Sequence, residues 1–149
     1  MINIQVEQYT DVVDEMKTMF KDLSREVDIY PGVTEPDVDN EQFVEMGDNV
    51  LVVTVRDDDE MVGMNVTVIL QDILFKHVKT AYNMFYYIKP EYRKSSTGLE
   101  MFKFTENQLR GRGVERSYMP RKIHLGGEGL FHRLGYMPIE INYTKYLGD

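Results

Sequence analysis

Apolar and polar residues change period several times along this chain, and each change predicts an element. Ile2, Ile4 and Val6 alternate with polar neighbours, the period-two pattern of a short half-buried strand. Val12, Val13, Met16, Met19, Phe20, Leu23 and Val27 then recur at helical spacing. Thr10 is placed to cap that helix, with Asp11 and Asp14 in its first turn, where carboxylates suit the positive end of the helix dipole. Tyr30-Pro31-Gly32 breaks the pattern and opens an acidic loop that runs to Asp39. Asp39 with Gln42 predicts a capping box for a short helix carrying Phe43, Val44 and Met46 and stopped at Gly47.

The β-branched run Val50 to Val55, a turn at Asp57-Asp58-Asp59 and strand composition from Val62 to Leu70 predict a hairpin. Gly63 within it marks a bulge or a close backbone approach. Lys76 to Thr80 leads into another strand, Ala81 to Ile88. The segment Thr97 to Arg112 carries Leu99, Phe102 and Leu109 on one helical face and ends at Gly113. Val114 to Met119 returns as a fifth strand, followed by a short helix through Arg133 and a last strand, Ile139 to Tyr146. No repeat or linker divides the 149 residues, so a single domain spanning 1–149 is expected.

Composition narrows the chemistry. The chain has no cysteine, which removes disulfides, zinc-thiolate sites and thiol nucleophiles together. No apolar run approaches the roughly 20 residues needed to span a bilayer, and the first residues alternate rather than form a signal peptide, so a soluble cytoplasmic protein without a membrane partner is expected. The net charge of −8 hides an asymmetry: 17 acidic and 4 basic residues through Glu60, then 8 acidic and 13 basic from Met61 onward. The acidic half either steers a cationic partner or serves solubility, and nucleic acid is not the expected partner. His77 and His132 have no partners at metal-ligand spacing, and three consecutive aspartates cannot converge on one ion, so no metal is expected.

The stretch Tyr86 to Gly113 carries the strongest functional signal. Its strand stops at Pro90, a basic, hydroxyl-rich turn follows at Arg93-Lys94-Ser95-Ser96, and a helix opens at Thr97. That order sets free backbone N–H groups and a positive dipole end beside Arg93 and Lys94, an arrangement that holds pyrophosphate.

Pro90-Glu91-Tyr92-Arg93-Lys94-Ser95-Ser96-Thr97-Gly98 resembles the Pro-x-Tyr lead-in and Arg-x-x-Gly-x-Gly turn of the GNAT superfamily of acyl-CoA N-acyltransferases, with Ser96 in place of the middle glycine. Downstream, His124-Leu125-Gly126-Gly127-Glu128-Gly129-Leu130-Phe131-His132-Arg133-Leu134-Gly135-Tyr136 fits without a gap the family's Asn-x-x-Ala-x-x-x-Tyr-x-x-x-Gly-Phe segment. The resemblance covers about two thirds of the chain and extends to short bacteriophage-encoded members.

That resemblance implies an α/β fold: a mixed, mostly antiparallel sheet of six to seven strands with helices on both faces. Its parallel pair would be the strands around Tyr86 and Val114, joined by a right-handed helical crossover. It implies acetyl-CoA as acyl donor and an amine of a small molecule or protein as acceptor, with a homo-oligomer compatible. The turn residues Arg93, Lys94, Ser95, Ser96, Thr97, Gly98 and Leu99 would hold the pyrophosphate, and Ile88 and His124 would meet the rest of the cofactor. Ser96 would be strained if that position needs φ > 0.

Many family members use a glutamate on the central strand as base and a later tyrosine as acid. Those positions fall here at about Tyr82 or Asn83 and at Phe131, so neither role transfers. His124 is nominated as base or water-holder because histidine titrates near neutral pH. Its alternatives are a contact to the cofactor's pantetheine arm and a structural hydrogen bond. Tyr82 is the second nominee and Tyr143 the third, each with packing as its alternative. The missing glutamate and tyrosine leave a second function open, a catalytically degenerate GNAT-fold protein serving as a phage virion component or a binder of a host protein.

Overall fold

Five segments with strand composition build one mixed sheet in the computed structural model, which describes residues 1–27 and 36–148. The sequence-predicted break at Tyr30-Pro31-Gly32 lies outside the described residues. The strands are β1 (Ile2–Glu7), β2 (Val50–Asp57), β3 (Glu60–Gln71), β4 (Lys79–Ile88) and β5 (Arg116–Tyr118), in the order β1-β2-β3-β4-β5. The first three pairings are antiparallel, and β5 runs parallel to β4.

Helices α1 (Tyr9–Val27), α2 (Asn40–Met46), α3 (Thr97–Gly111) and α4 (Glu128–Arg133) cover both faces. The apolar stripe of α1, Val12, Met16, Met19 and Phe20, packs with Phe43 of α2 against Val52, Met64, Val66, Val68 and Tyr87. On the opposite face Met101, Phe102 and Leu109 of α3 and Phe131 of α4 meet Leu51, Val53, Val55, Val62, Ile69, Ala81 and Ile88. Cover on both sides explains why β2 and β3 read as nearly continuous apolar runs rather than as alternation.

Local signals explain most boundaries. Asp39 caps α2, its carboxylate accepting from Gln42 N at 3.1 Å, and Gly47 ends that helix at φ 53°. Gly113 follows α3 at φ 78°, and Val114 N closes the turn onto Leu109 O at 3.1 Å. Thr10 is not a cap: α1 starts at Tyr9, because Asp11 N already bonds Gln8 O at 3.0 Å and closes the first turn early. At Gly63 both expectations hold. The β2–β3 register shifts between Val55 and Arg56, and a Cβ on Gly63 would stand 3.1 Å from Ile88 Cγ1 and 3.2 Å from Tyr87 O.

One expectation is corrected. The sheet has five strands among the described residues, not six to seven, and Ile139 to Tyr146 forms no ladder. Its alternating side chains stay in solvent, with Tyr143 91 % exposed, because no neighbouring edge takes up their backbone groups. The parallel pair is present between the two expected strands, where it joins Thr80, Ala81 and Tyr82 to Arg116, Ser117 and Tyr118.

Candidate active site

The place where β4 leaves its neighbours defines the site. Against β3 the register runs Val66 to Phe85 and then Thr67 to Asn83, so Met84 is an extra residue, a β-bulge. On the other side the pairing with β5 stops at Tyr82 and Tyr118. From Asn83 to Ile88 one edge of β4 therefore has no strand beside it among the described residues, which leaves its backbone groups for a ligand. The only hydrogen bond that crosses this gap among the described residues is Tyr86 Oη donating to Pro120 O at 3.2 Å.

At the upper end of β4 the chain makes a 3₁₀ turn, Pro90–Tyr92, and enters α3. Ser96 has φ −73°, ordinary right-handed backbone, so serine carries no strain where the family has glycine. Ser95 Oγ donates to Tyr92 O at 2.9 Å and accepts from Thr97 N at 3.3 Å, and Ser96 Oγ donates to Glu100 Oε1 at 2.8 Å. The backbone N–H groups of Lys94, Ser95, Ser96, Gly98 and Leu99 donate to no protein group among the described residues. They are unpaired donors at the positive end of a 15-residue helix, which suits a pyrophosphate. A Cβ on Gly98 would stand 3.5 Å from Ile88 Cδ1, an ordinary contact.

The two basic residues of the turn differ. Lys94 is exposed and makes no ion pair among the described residues. Arg93 is engaged three times: its Nε donates to Ile88 O at 2.7 Å, a terminal nitrogen meets Glu26 Oε1 at 2.7 Å, and its guanidinium lies 5.1 Å from the centre of the Tyr87 ring. Burial pushes the Tyr87 phenol above its ordinary pKa, with the carboxylates of Glu26 and Asp22 adding to the rise. Burial does the same for Tyr86 and, on the α3 face, for Tyr136.

His124 is exposed on the segment after β5, and its Nε2 lies 3.3 Å from the carbonyl of Glu26. The fold thus brings Arg93 and His124 to one residue at the end of α1, and Glu26 is the participant that sequence reasoning missed. Tyr82 stands apart from them. Its ring stacks on Tyr118 at 5.1 Å and 4° at the base of the gap, and it remains 37 % exposed. Asn83 is buried and donates to Asn65. Phe131, at the family's tyrosine position, is buried edge-on to Tyr86, Phe102 and Tyr136. Tyr143 lies on the exposed C-terminal segment, and His77 and His132 are exposed. No cluster of three metal-ligating side chains occurs among the described residues, and no helix among them is long and apolar enough to cross a membrane.

A sheet that parts beside a bulge, followed by a helix that opens on unpaired amides, makes up the candidate site. Residues 14–136 match the acetyltransferase (GNAT) family, and the chain belongs to that family. Its solved structural relatives include an aminoglycoside acetyltransferase from an uncultured soil metagenomic sample, at TM-score 0.77 and 12 % identity over 99 % of both chains. A predicted acetyltransferase with acetyl-CoA from Clostridium acetobutylicum superposes at TM-score 0.75 with 13 % identity, over 99 % of this chain and 97 % of the other. Glucosamine-6-phosphate N-acetyltransferase from Arabidopsis thaliana gives 0.72 and 14 % over 99 % of both. At such identities the likeness is one of fold. A comparison with curated proteins found no match.

Proposed function

We propose that this GNAT-family enzyme is an N-acetyltransferase that moves an acetyl group from acetyl-CoA to an amine of a small molecule or protein. The observation that carries the reading is the parting of β4 from β5 at the Met84 bulge beside the free amides of the α3 turn. Bound acetyl-CoA supplies the activated thioester. The amides from Lys94 to Leu99 hold its pyrophosphate, Lys94 adds charge, and the open edge of β4 from Asn83 to Ile88 orients the pantetheine arm by backbone hydrogen bonds. The acetyl carbon leaves sulfur for nitrogen, and the amine gives up one proton.

His124 is the nominee to receive that proton. A carbonyl oxygen can only accept, so Nε2 donates to Glu26 O and Nδ1 is left as the basic nitrogen. Tyr82, which stacks on Tyr118 and is partly exposed, is the side chain proposed to border the acceptor.

Thermal unfolding with and without acetyl-CoA tests the reading first. At about a hundred times its dissociation constant the ligand should stabilise the fold by about 2.7 kcal/mol, a rise in Tm of several degrees. Release of CoA thiol with a panel of amines tests turnover. No shift at millimolar acetyl-CoA, or binding without turnover on any amine, rejects the enzyme and supports the degenerate binder instead.

A further inference from the structure

The core beneath α3 is not wholly apolar. Asn65 of β3 is 0 % exposed, Thr105 of α3 2 % and Asn83 of β4 7 %. The three form a directional chain: Asn83 Nδ2 donates to Asn65 Oδ1, Asn65 Nδ2 donates to Thr105 Oγ1 at 3.0 Å, and Thr105 Oγ1 donates to Met101 O at 2.9 Å. At its open end Asn83 Oδ1 has no protein partner among the described residues, and neither has the Oγ1 of Thr67, the cross-strand neighbour of Asn83.

Stability does not explain such a cluster. A partly satisfied buried network is worse than an apolar core, and replacing both partners of a buried hydrogen bond by apolar groups of the same shape is close to neutral or favourable. Its position does explain it. Asn83 lies on one side of the inserted Met84 and Asn65 on the other. In an unbroken register running from Thr67 and Asn83, Asn65 would face Phe85, whereas the bulge sets it opposite Tyr86. The Asn83–Asn65 bond therefore bridges the register break, and Thr105 ties that point to α3. Eight residues back along the same helix is Thr97, about 12 Å away along the axis at 1.5 Å per residue.

We infer that Asn83, Asn65 and Thr105 are positioning residues that fix the span between the two ends of the cofactor site. One end is the bulge where β4 opens, and the other is the pyrophosphate turn at the start of α3. The inference rests on the acetyl-CoA reading above. A ligand that bridges both ends needs the correct span, while one that occupies only the turn does not.

The test compares acetyl-CoA with its nucleotide fragment, 3′-phospho-ADP, by calorimetry on the full chain. In the double variant Asn65→Leu/Thr105→Val, acetyl-CoA affinity should fall about tenfold or more, because a misplaced site loses its pre-organisation. The fragment's affinity should stay within about twofold, while Tm should fall by a few degrees, because Asn83 Nδ2 loses its acceptor. Thr105→Val alone changes shape least and should show the same split in smaller measure. Thr105→Ser keeps the hydroxyl and should restore wild-type binding. Parallel loss of both ligands, or no loss of either, overturns the inference while leaving the acetyl-CoA reading intact. Failure of the wild-type chain to bind acetyl-CoA overturns both.

Discussion

Charge and geometry divide Arg93 from Lys94, although the two are adjacent in the turn. Lys94 is exposed and has no ion-pair partner among the described residues, so its charge acts on whatever anion sits on the amides. Two unit charges about 6 Å apart in water interact by about 0.7 kcal/mol, and Lys94→Glu reverses that sign against a pyrophosphate carrying about two charges, a change of roughly 2.8 kcal/mol before screening. With a Debye length of about 8 Å at physiological salt, roughly half survives, which is about tenfold in affinity. At 1 M salt, with a Debye length of about 3 Å, the loss should shrink to about twofold. Tm without ligand should not move. Arg93→Ala should behave in the opposite way. Its side chain bonds Ile88 O and the half-exposed Glu26, so its removal should cost about 1–2 kcal/mol of stability, a Tm drop of a few degrees, with a smaller and less salt-dependent change in affinity. Titration calorimetry at two salt concentrations, paired with scanning calorimetry, reads both quantities. Equal, salt-independent losses in the two variants would refute this division of labour.

Other variants probe the frame of the site. Gly63→Val would bring its Cβ to 3.1 Å from Ile88 Cγ1 and 3.2 Å from Tyr87 O, closer than ordinary contact, and should cost about 1–3 kcal/mol of overpacking, seen as a lower urea midpoint. Glu7 accepts from Arg56 Nε at 2.9 Å and from Thr54; burial raises its pKa, but those bonds outweigh it and hold the carboxyl below its ordinary 4.5. A depressed folded pKa means that this stability is present above the unfolded value and is lost as pH falls below about 4.5, so urea midpoints should drop there in wild type and flatten in Glu7→Gln, itself destabilised by about 2 kcal/mol at neutral pH.

The parts of the site that the sequence reveals are those made by the backbone. A strand, a proline, a basic turn and a helix start occur in that order along the chain, so the anion-binding amides are local and legible. Glu26 is not, because its partner Arg93 is 67 residues away and nothing in a helix-end glutamate announces an ion pair. Asn65 did leave a signal, a lone amide in the apolar run from Met61 to Leu70, but its partner on α3 lies 40 residues further on. The bulge at Met84 has no residue-type signature, so the sequence shows that two strands run parallel but not where they part. Ile139 to Tyr146 has strand periodicity without a paired edge, and periodicity reports which side chains share a face, not whether a neighbour exists.

The missing family tyrosine shapes the expected pH profile. Phe131 is 8 % exposed and touches three rings, so no side chain at that position delivers a proton to a departing thiolate. Little is lost, because a thiol of pKa about 8.5 is a fair leaving group unaided, whereas an alkyl amine with a lysine-like pKa of about 10.4 is almost wholly protonated at neutral pH. Removing the amine's proton is the step that needs help, and nothing in the site must itself be protonated for the thiolate to leave. The rate at saturating acetyl-CoA should therefore climb from pH 6 to about pH 9 without an alkaline fall, the fall being the mark of an essential acid. If His124 takes the proton, His124→Ala should remove the lower part of that climb and cost about a hundredfold at neutral pH with acetyl-CoA affinity unchanged. A descending limb below pH 9 in the wild-type enzyme would show that an acid acts after all, and Tyr82, the exposed phenol at the foot of the gap, would be the side chain to replace with phenylalanine next.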